Sequence, residues 1–512
     1  MAANVFVLSM FAFDTLSNQI QAPDMPCWPS NSEWRSLNET VSGSLIKTIP
    51  VASVCYLSEP AYNPETCQSV RSNWTTWPFH SGDPASSGNP TLDNACSPIY
   101  ANGTSVTGNV NAGEQGCRLG SYPPYIINAT STEDVQAGVR FAKKWNLRVN
   151  IKNTGHGGKR STHVAATLDA GVQDGELYAA MAKHNALAVG GESNDVGVVG
   201  WATGGGHGLA TGVYGMGADN IIEAVIVTAG GDVLTANACQ NEDIFWAIRG
   251  GGGGTFGAIT SVTVNAYKMP SFAMTGIDIS SKNDTSAKDW YRLLARVHGE
   301  IPRLQNAGIH GYYTMSGAPM TFSLSLFEYN TMNGTSEAIL KPLLEILEAA
   351  NATATFKTSS LWEPSWYDFI KTVPSFGSTG KMHSTRASRF IPERAVEDIE
   401  LLAVTLEAIA APSPDLPGVT VPSISGTMTG SKKPVDNALN PAWRDSIVHV
   451  ITTQSWDDTL SDDLTTKATH DMTYKRGYAL RQLAPDTGAY FNEERWSTFG
   501  LLNYRHPDYE VA

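Results

Sequence analysis

A chain of 512 residues is too long for one ordinary hydrophobic core, so two domains are the default expectation. With 42% hydrophobic and 16% charged residues it is globular rather than disordered. A net charge of −14 argues against nucleic acid or an anionic membrane surface as the main partner, and no apolar stretch approaches the ~20 residues that span a bilayer.

In chain order, Val5–Phe13 is a short apolar run without a basic flank. It reads either as a weak secretory leader within residues 1–20 or as a buried N-terminal segment. Residues 1–120 are turn-rich and low in periodicity, and carry five of the six cysteines, Cys27, Cys55, Cys67, Cys96 and Cys117. That clustering predicts disulfides and an oxidising compartment, a secreted or secretory-pathway protein. Cys55 with Cys67 and Cys96 with Cys117 are the local pairs, leaving Cys27 over. No Cys/His ligand spacing occurs, so no metal site is expected. Glycosylation sequons at Asn38, Asn73, Asn102, Asn128, Asn283, Asn333 and Asn351 add a little to the secretory reading.

From Tyr125 the texture changes. Residues 125–129 read as a strand, 131–145 as a helix capped by Ser131, and 147–152 as the next strand. A helix over 175–185, a strand from 186, and a hairpin made of 221–228, the turn 230–232 and 233–235 follow. The alternating run 258–267 closes an α+β unit. Beyond Pro270, strands over 275–280, 309–315, 321–329 and 447–453 mix with helices over 336–350, 392–411 and 465–483. In the first of these helices Leu340, Leu343, Leu344 and Leu347 form one stripe. This predicts a second domain of mixed sheet backed by helices.

Three glycine-rich segments carry the chemistry: Asn153-Thr-Gly-His-Gly-Gly-Lys-Arg-Ser161, Val196–Gly208 with Gly204-Gly-Gly-His-Gly208, and the run Gly250–Gly254. The run is flanked by aromatic and β-branched residues, so it lies inside a packed domain rather than in a linker. Ordering five glycines is entropically costly, and a fold tolerates it where another surface must approach bare backbone. The alternative is a tight crossover with no ligand. Successive N–H groups in such loops make concave anion sites, and several loops together can hold a pyrophosphate without a lysine. A Rossmann fingerprint, a P-loop and a nucleophile elbow are all absent.

Asn153-Thr-Gly-His156, Gly190–Gly208, Ala218-Asp-Asn-Ile-Ile-Glu223 and Asp243–Gly257 together resemble the berberine bridge enzyme-like FAD-linked oxidases, within the vanillyl-alcohol oxidase class. Cys27-Trp-Pro-Ser, Ser388–Pro392, Asn440–Arg444 and Gly488–Glu493 resemble the fungal branch, and the likeness covers nearly the whole chain. It implies an α+β fold: a PCMH-type FAD-binding domain of two α+β subdomains over 121–270, a substrate domain over 271–455 with an antiparallel sheet backed by helices, and a C-terminal segment, 456–512, returning to the FAD domain. It implies cofactor contacts from Asn153, Thr154, Gly155, His156, Gly157, Arg160 and Ser161. The second loop would add Ser193, Val196, Gly197, Gly200, Thr203, Gly204, Gly205, Gly206, His207 and Gly208, and the third Gly254 with Ile259.

His156 would bond covalently to the flavin 8α-methyl, a role suited to a neutral imidazole nucleophile; its alternative is a turn histidine bonded to backbone. For His207 a structural or pocket role weighs at least as much as a chemical one. A second attachment through cysteine falls here on Ser193, whose hydroxyl does not replace a thiolate, so single attachment is expected. Gly157 stands where the family usually has an acidic residue. The passage from Ser161 to Gly171 is short by about one strand length, and the C-terminus ends early.

The implied reaction is oxidation of a small, fairly apolar substrate by hydride transfer to flavin N5, with dioxygen as acceptor and hydrogen peroxide as product. Tyr490 is the candidate catalytic residue, with a core tyrosine as the even alternative. Trp362, Trp366, Tyr367 and Phe369 are pocket-wall candidates for which core packing is the stronger reading. A catalytically silent flavoprotein fold and a carbohydrate oxidase of the same architecture are the competing functions.

Overall fold

The computed structural model describes residues 28–84, 86, 95–120, 122–152, 165–331, 336–373 and 383–493, together with the course of two strands at 6–13 and 20–21. Three sheets organise it. The first is built from β1 (Phe6–Phe13), β2 (Ile20–Gln21), β3 (Leu45–Lys47), β4 (Tyr125–Ala129) and β5 (Leu147–Lys152). β1 lies antiparallel between β4 and β5, so residues 6–13 form a strand. The helix Thr132–Trp145 joins β4 to β5; the Ser131 hydroxyl accepts from Asp134 N–H, and Asn146 ends the helix in a left-handed conformation.

The second sheet holds β6 (Ala165–Asp169), β7 (Ala186–Ala188), β8 (Ile221–Val227), β9 (Val233–Asn237) and β10 (Ala258–Lys268), with β10 pairing β6, β7 and β8. The passage from Ser161 to Gly171 reads as short by about one strand length, and its residues 161–164 lie outside the described ones. A strand, β6, stands in that passage and pairs antiparallel with β10 through Ala165–Asp169, because Ala166 and Leu168 alternate into the core.

The third sheet has seven antiparallel strands in the order β14-β11-β13-β12-β16-β17-β15. These are β11 (Phe272–Ser281), β12 (His310–Gly317), β13 (Met320–Tyr329), β14 (Ala354–Glu363), β15 (His383–Pro392), β16 (Ser423–Thr427) and β17 (Ser446–Trp456). Strict alternation sorts its two faces. Ile277, Tyr313, Leu324, Ile424 and Val450 join the helix-backed core, where Leu340, Leu343 and Leu347 of the helix Glu337–Ala349 are buried. Tyr312 and Phe327 point the other way and pack against the core built on the second sheet.

Two expected helices differ in detail. The run 392–411 is not one helix: β15 extends through Pro392, a 3₁₀ turn covers Glu393–Val396, and the helix proper is Ile399–Ala410, with the Asp398 carboxylate accepting from Leu401 N–H. That local cap offers the backbone a fresh start and breaks the periodic run. The run 465–483 begins earlier, at Asp462 behind the Ser461 cap, and carries a π turn at Met472–Arg476. The π turn delivers Arg476, fully buried, to the Ala408, Ile409 and Ala411 carbonyls, which the helix Ile399–Ala410 leaves open at its end.

Residues 28–120 hold more helix than their texture suggested. Asn31–Thr40 starts from a Ser30/Glu33 capping box, and Pro64–Asn73 starts from Asn63 with proline at N1. Disulfides join Cys55 to Cys67 and Cys96 to Cys117, as expected; Cys27 lies outside the described residues and Cys239 is free and exposed. Among the described residues no helix is long and apolar enough to cross a membrane, and no cluster of His, Cys, Asp and Glu could hold a metal.

Candidate functional site

The second and third glycine segments meet. Gly252 N–H donates to the Thr203 carbonyl at 3.0 Å, and a Cβ on Gly253 would lie 3.3 Å from Thr203 Oγ1. The five glycines divide by role. Gly250, at φ +105°, lies against Leu439, whose Cα a Cβ there would approach to 2.5 Å, so packing demands glycine. Gly252 and Gly254, at φ +103° and +76°, face space in which an added Cβ would meet no other segment of the chain. This half of the run is a bare, open cradle, and Gly200 is equally uncovered.

The second segment is built just as tightly. The carbonyls of Gly205 and Gly206 accept from Ala218 and Gly217 N–H at 3.0 Å each, and the Trp201 indole donates to the His207 carbonyl at 2.6 Å. Asp174, fully buried, accepts from Gly191 N–H at 2.9 Å; burial pushes its carboxyl well up against the opposing effect of that hydrogen bond. A Cβ on Gly208 would fall 1.9 Å from the Gly190 carbonyl oxygen. Gly208→Ala is therefore expected to cost at least about 1–3 kcal/mol by overpacking, seen as a lower melting temperature together with reduced flavin content. A variant that melts and absorbs like the wild type would show that the loop pair relaxes freely.

Against these loops stands a polar cluster drawn from four regions. His207 Nδ1 lies 3.0 Å from the Tyr312 hydroxyl and 3.6 Å from Glu192 Oε1, and its Nε2 lies 2.9 Å from Glu493 Oε1. The other oxygen of Glu493 is 3.3 Å from His449 Nδ1. His449 Nε2 accepts from Tyr490 N–H at 3.4 Å and is 3.0 Å from the Ser388 hydroxyl. With Nε2 accepting, the neutral ring carries its proton on Nδ1, toward Glu493. Sheet register explains part of this gathering: Tyr312 on β12 is paired with Thr427 on β16, Thr427 with His449 on β17, and His449 with Phe390 on β15. One row of cross-strand neighbours therefore faces the loops.

The two carboxylates are driven apart electrostatically. Burial alone would raise the Glu493 carboxyl, but His207 and His449 outweigh it and hold it well below the ordinary carboxylate range. Glu192 is raised, chiefly by burial, with His207 opposing. Burial likewise pulls His207 down, but Glu493 first and Glu192 second raise it above an ordinary imidazole. Burial pushes the Tyr312 phenol well up. Such a split between neighbouring carboxylates is how one site holds a base and an acid together.

The sequence-predicted residues distribute as follows. Asn153, Thr154, Gly155, His156, Gly157, Arg160 and Ser161 lie outside the described residues. Val196, Gly197, Gly200 and Thr203–Gly208 are brought together with Gly254, while Ser193 precedes them on the same loop and Ile259 turns its side chain into the core of β10. Tyr490 is buried between Trp443 and His207, its ring centroid 5.5 and 5.3 Å from theirs. Its hydroxyl accepts from the Asn492 amide at 2.7 Å and from the Gly206 backbone, and burial raises its pKa. Trp366 and Phe369 are core residues, packed on Tyr178 and Phe272; Trp362 is partly exposed and donates to the Thr331 carbonyl. Sequence reasoning missed Glu192, Tyr312, His449 and Glu493. Only Glu493, inside the Gly488–Glu493 motif, and Glu192, inside Gly190–Gly208, carried a local signal.

Open glycine cradles set against a seven-stranded sheet suit an FAD-linked oxidoreductase, and comparison with known proteins agrees. Residues 159–237 match the FAD binding domain family. The FAD-linked oxidoreductase hmp9 of Hypomyces subiculosus is 30% identical over 92% of this chain and 81% of its own length. The VAO-type flavoprotein oxidase VAO615 of Thermothelomyces thermophilus is also 30% identical, over 90% of this chain and 82% of its own. The crystal structure of the VAO-type flavoprotein MtVAO713 from Myceliophthora thermophila superposes with a TM-score of 0.81 at 28% identity, covering 93% of this chain and 90% of that one. The chain belongs to the VAO-type FAD-linked oxidoreductases, the class to which its likeness to the berberine bridge enzyme-like oxidases pointed.

Proposed function

We propose that this FAD-linked oxidoreductase oxidises a small molecule, returns the electrons to dioxygen to give hydrogen peroxide, and carries its FAD covalently on His156 alone. The observation that carries the reading is the cradle. Gly252 and Gly254 present bare backbone to open space beside Thr203, whose carbonyl already takes the Gly252 N–H, so a multiply charged dinucleotide can approach the main chain with no side chain in the way. These residues fit FAD. When bound, the flavin supplies the two-electron chemistry. The protein's own part is to present Gly200, Thr203, Gly252 and Gly254 to the cofactor, to seat the substrate against the β12–β17 face, and to take up a proton there.

Attachment through one residue follows from Ser193. A solved glucooligosaccharide oxidase from Acremonium strictum, alike in fold, is described as holding a 6-S-cysteinyl, 8α-N1-histidyl FAD; a serine at the cysteine position leaves only the histidine. Compartment follows from the two disulfides, which fit passage through the secretory pathway.

The test is direct. Purified protein should be yellow, and acid denaturation should leave the colour on the polypeptide. A tryptic peptide spanning Asn153–Lys159 should carry the flavin mass, and His156→Ala should release it. A panel of alcohols, including aromatic alcohols and simple oligosaccharides, should contain one that bleaches the flavin under nitrogen and yields peroxide in air. Colour that stays bound in His156→Ala places the bond elsewhere, and a folded, colourless wild-type protein overturns the reading.

A further inference from the structure

Tyr312, His207 and Glu493 stand in line. The phenol oxygen is 3.0 Å from Nδ1 of the imidazole, and Nε2 of the same ring is 2.9 Å from a carboxylate oxygen. In the neutral ring with Nε2–H directed at Glu493, Nδ1 is the acceptor and the Tyr312 O–H, which Glu192 also engages, donates to it. The arrangement has the logic of a nucleophile–base–orienter triad with a phenol in first place. Further contacts hold it: the Thr429 hydroxyl donates to the Tyr312 oxygen at 3.3 Å, and His449 Nδ1 faces the far oxygen of Glu493 at 3.3 Å.

Tyr312 is only half-buried, and the sheet face continues from it to Thr314, Ser425 and Ser323, which are exposed or half-buried cross-strand neighbours. That shelf of hydroxyls suits a substrate that itself bears hydroxyl groups. Both phenol oxygens are engaged, Tyr490 by the Asn492 amide and the Gly206 backbone, but the Tyr490 side chain is buried and has no imidazole in hydrogen-bond reach of its hydroxyl among the described residues.

We propose that Tyr312 is the catalytic residue that takes the hydroxyl proton of an alcohol substrate, passing its own phenolic proton to His207, while Glu493 acts as the positioning residue that fixes the imidazole. This rests on the reading of the chain as a flavoprotein that oxidises a small molecule and narrows that molecule to an alcohol. The balance is complete. The substrate O–H bond breaks and its proton goes to Tyr312 Oη as the Tyr312 proton moves to His207 Nδ1. The substrate C–H hydrogen leaves with its electron pair to the flavin, a carbonyl forms, and the imidazolium rests against Glu493. The groups facing His207 are Glu192 from its own segment, Tyr312 from β12, and Tyr490 and Glu493 from the C-terminal segment, with His449 of β17 behind Glu493.

The test uses the flavin-loaded full chain. Tyr312→Phe is expected to lower kcat/KM for the fastest alcohol of the panel by about 10²–10⁴-fold, with the visible flavin spectrum unchanged. In ¹⁵N-histidine NMR, His207 should be Nε2-protonated in the wild type. Glu493→Gln should move its titration to lower pH, and the acid limb of kcat/KM should move with it. A Tyr312→Phe enzyme of wild-type rate, a large loss found in Tyr490→Phe but not in Tyr312→Phe, or a His207 titration unmoved in Glu493→Gln would each overturn the proposal. If Glu493→Gln does not fold, the wild-type tautomer decides alone, an Nδ1-protonated His207 being fatal. A colourless wild-type protein would fail the flavoprotein reading, whereas a yellow, active one with the wrong tautomer fails only the relay.

Discussion

Arg444→Met is expected to cost about 3–5 kcal/mol, the penalty for leaving a buried charge without its partner. The charge is Asp219, whose side chain is 2% exposed. Its two oxygens receive Arg444 Nη1 and Nη2 at 2.8 and 2.6 Å, the Asn437 amide at 2.8 Å and Met216 N–H at 2.9 Å. A bidentate guanidinium fits that geometry and an ammonium does not. The pair also ties two regions together: Asp219 lies in the turn Gly217–Asn220 that packs on Gly205 and Gly206, and Arg444 lies just before β17. Heating should therefore release flavin fluorescence earlier in Arg444→Met, in step with the lower melting temperature. The double variant Asp219→Asn, Arg444→Met should recover part of the loss, since it removes the orphaned charge. A single variant that loses less than about 1 kcal/mol would show that Asp219 finds water or another donor.

Stability is expected to fall steeply between about pH 6.5 and pH 4. His298 is buried in the helix Ala287–Gly299, with Nδ1 2.7 Å from the Leu294 carbonyl and Nε2 2.9 Å from the Tyr313 hydroxyl. His310 is buried with Nδ1 3.2 Å from the Met428 carbonyl. Burial pulls both rings down to about 4, against the raising effect of those carbonyls. The unfolded chain binds these protons from about pH 6.5 downward while the fold refuses them until about pH 4, so the unfolded state gains as pH falls. The gap corresponds to roughly 3 kcal/mol for each ring. Glu493, held low, works in the same direction, its stabilisation being lost as pH falls; His207, held high, works in the opposite one. Denaturation midpoints at pH 7 and pH 4.5 measure the slope, and His298→Asn should flatten it. Equal midpoints at the two pH values would mean that both rings accept protons inside the fold.

How far the sequence could be read depends on the range of the interaction concerned. The helix after Ser131 and the strands either side of it were legible because cap, periodicity and stop signal all lie within a few residues of one another. The capping box at Ser30/Glu33 and the Asn63-Pro64 start were equally local, yet the surrounding prolines and cysteines masked them. The run 392–411 misled because its apolar spacing continues across Asp398, whose side chain prefers to cap. The strand Ala165–Asp169 went unread because it is only five residues long and its pairing edge on β10 lies about a hundred residues away.

The chemistry divides along the same line. Bare backbone is a local property, so the glycine segments announced a ligand of dinucleotide kind without any knowledge of the fold, and the order of those segments was enough to point to the flavoprotein class. Which of the five glycines are packed and which face open space was decided only when Leu439 arrived against Gly250 and nothing arrived at Gly254. The polar cluster is wholly tertiary: Glu192, His207, Tyr312, His449 and Glu493 span three hundred residues of chain, and what drives its two carboxyl groups apart is burial and the distance to the imidazoles, neither of which exists until the sheet brings its strands into register.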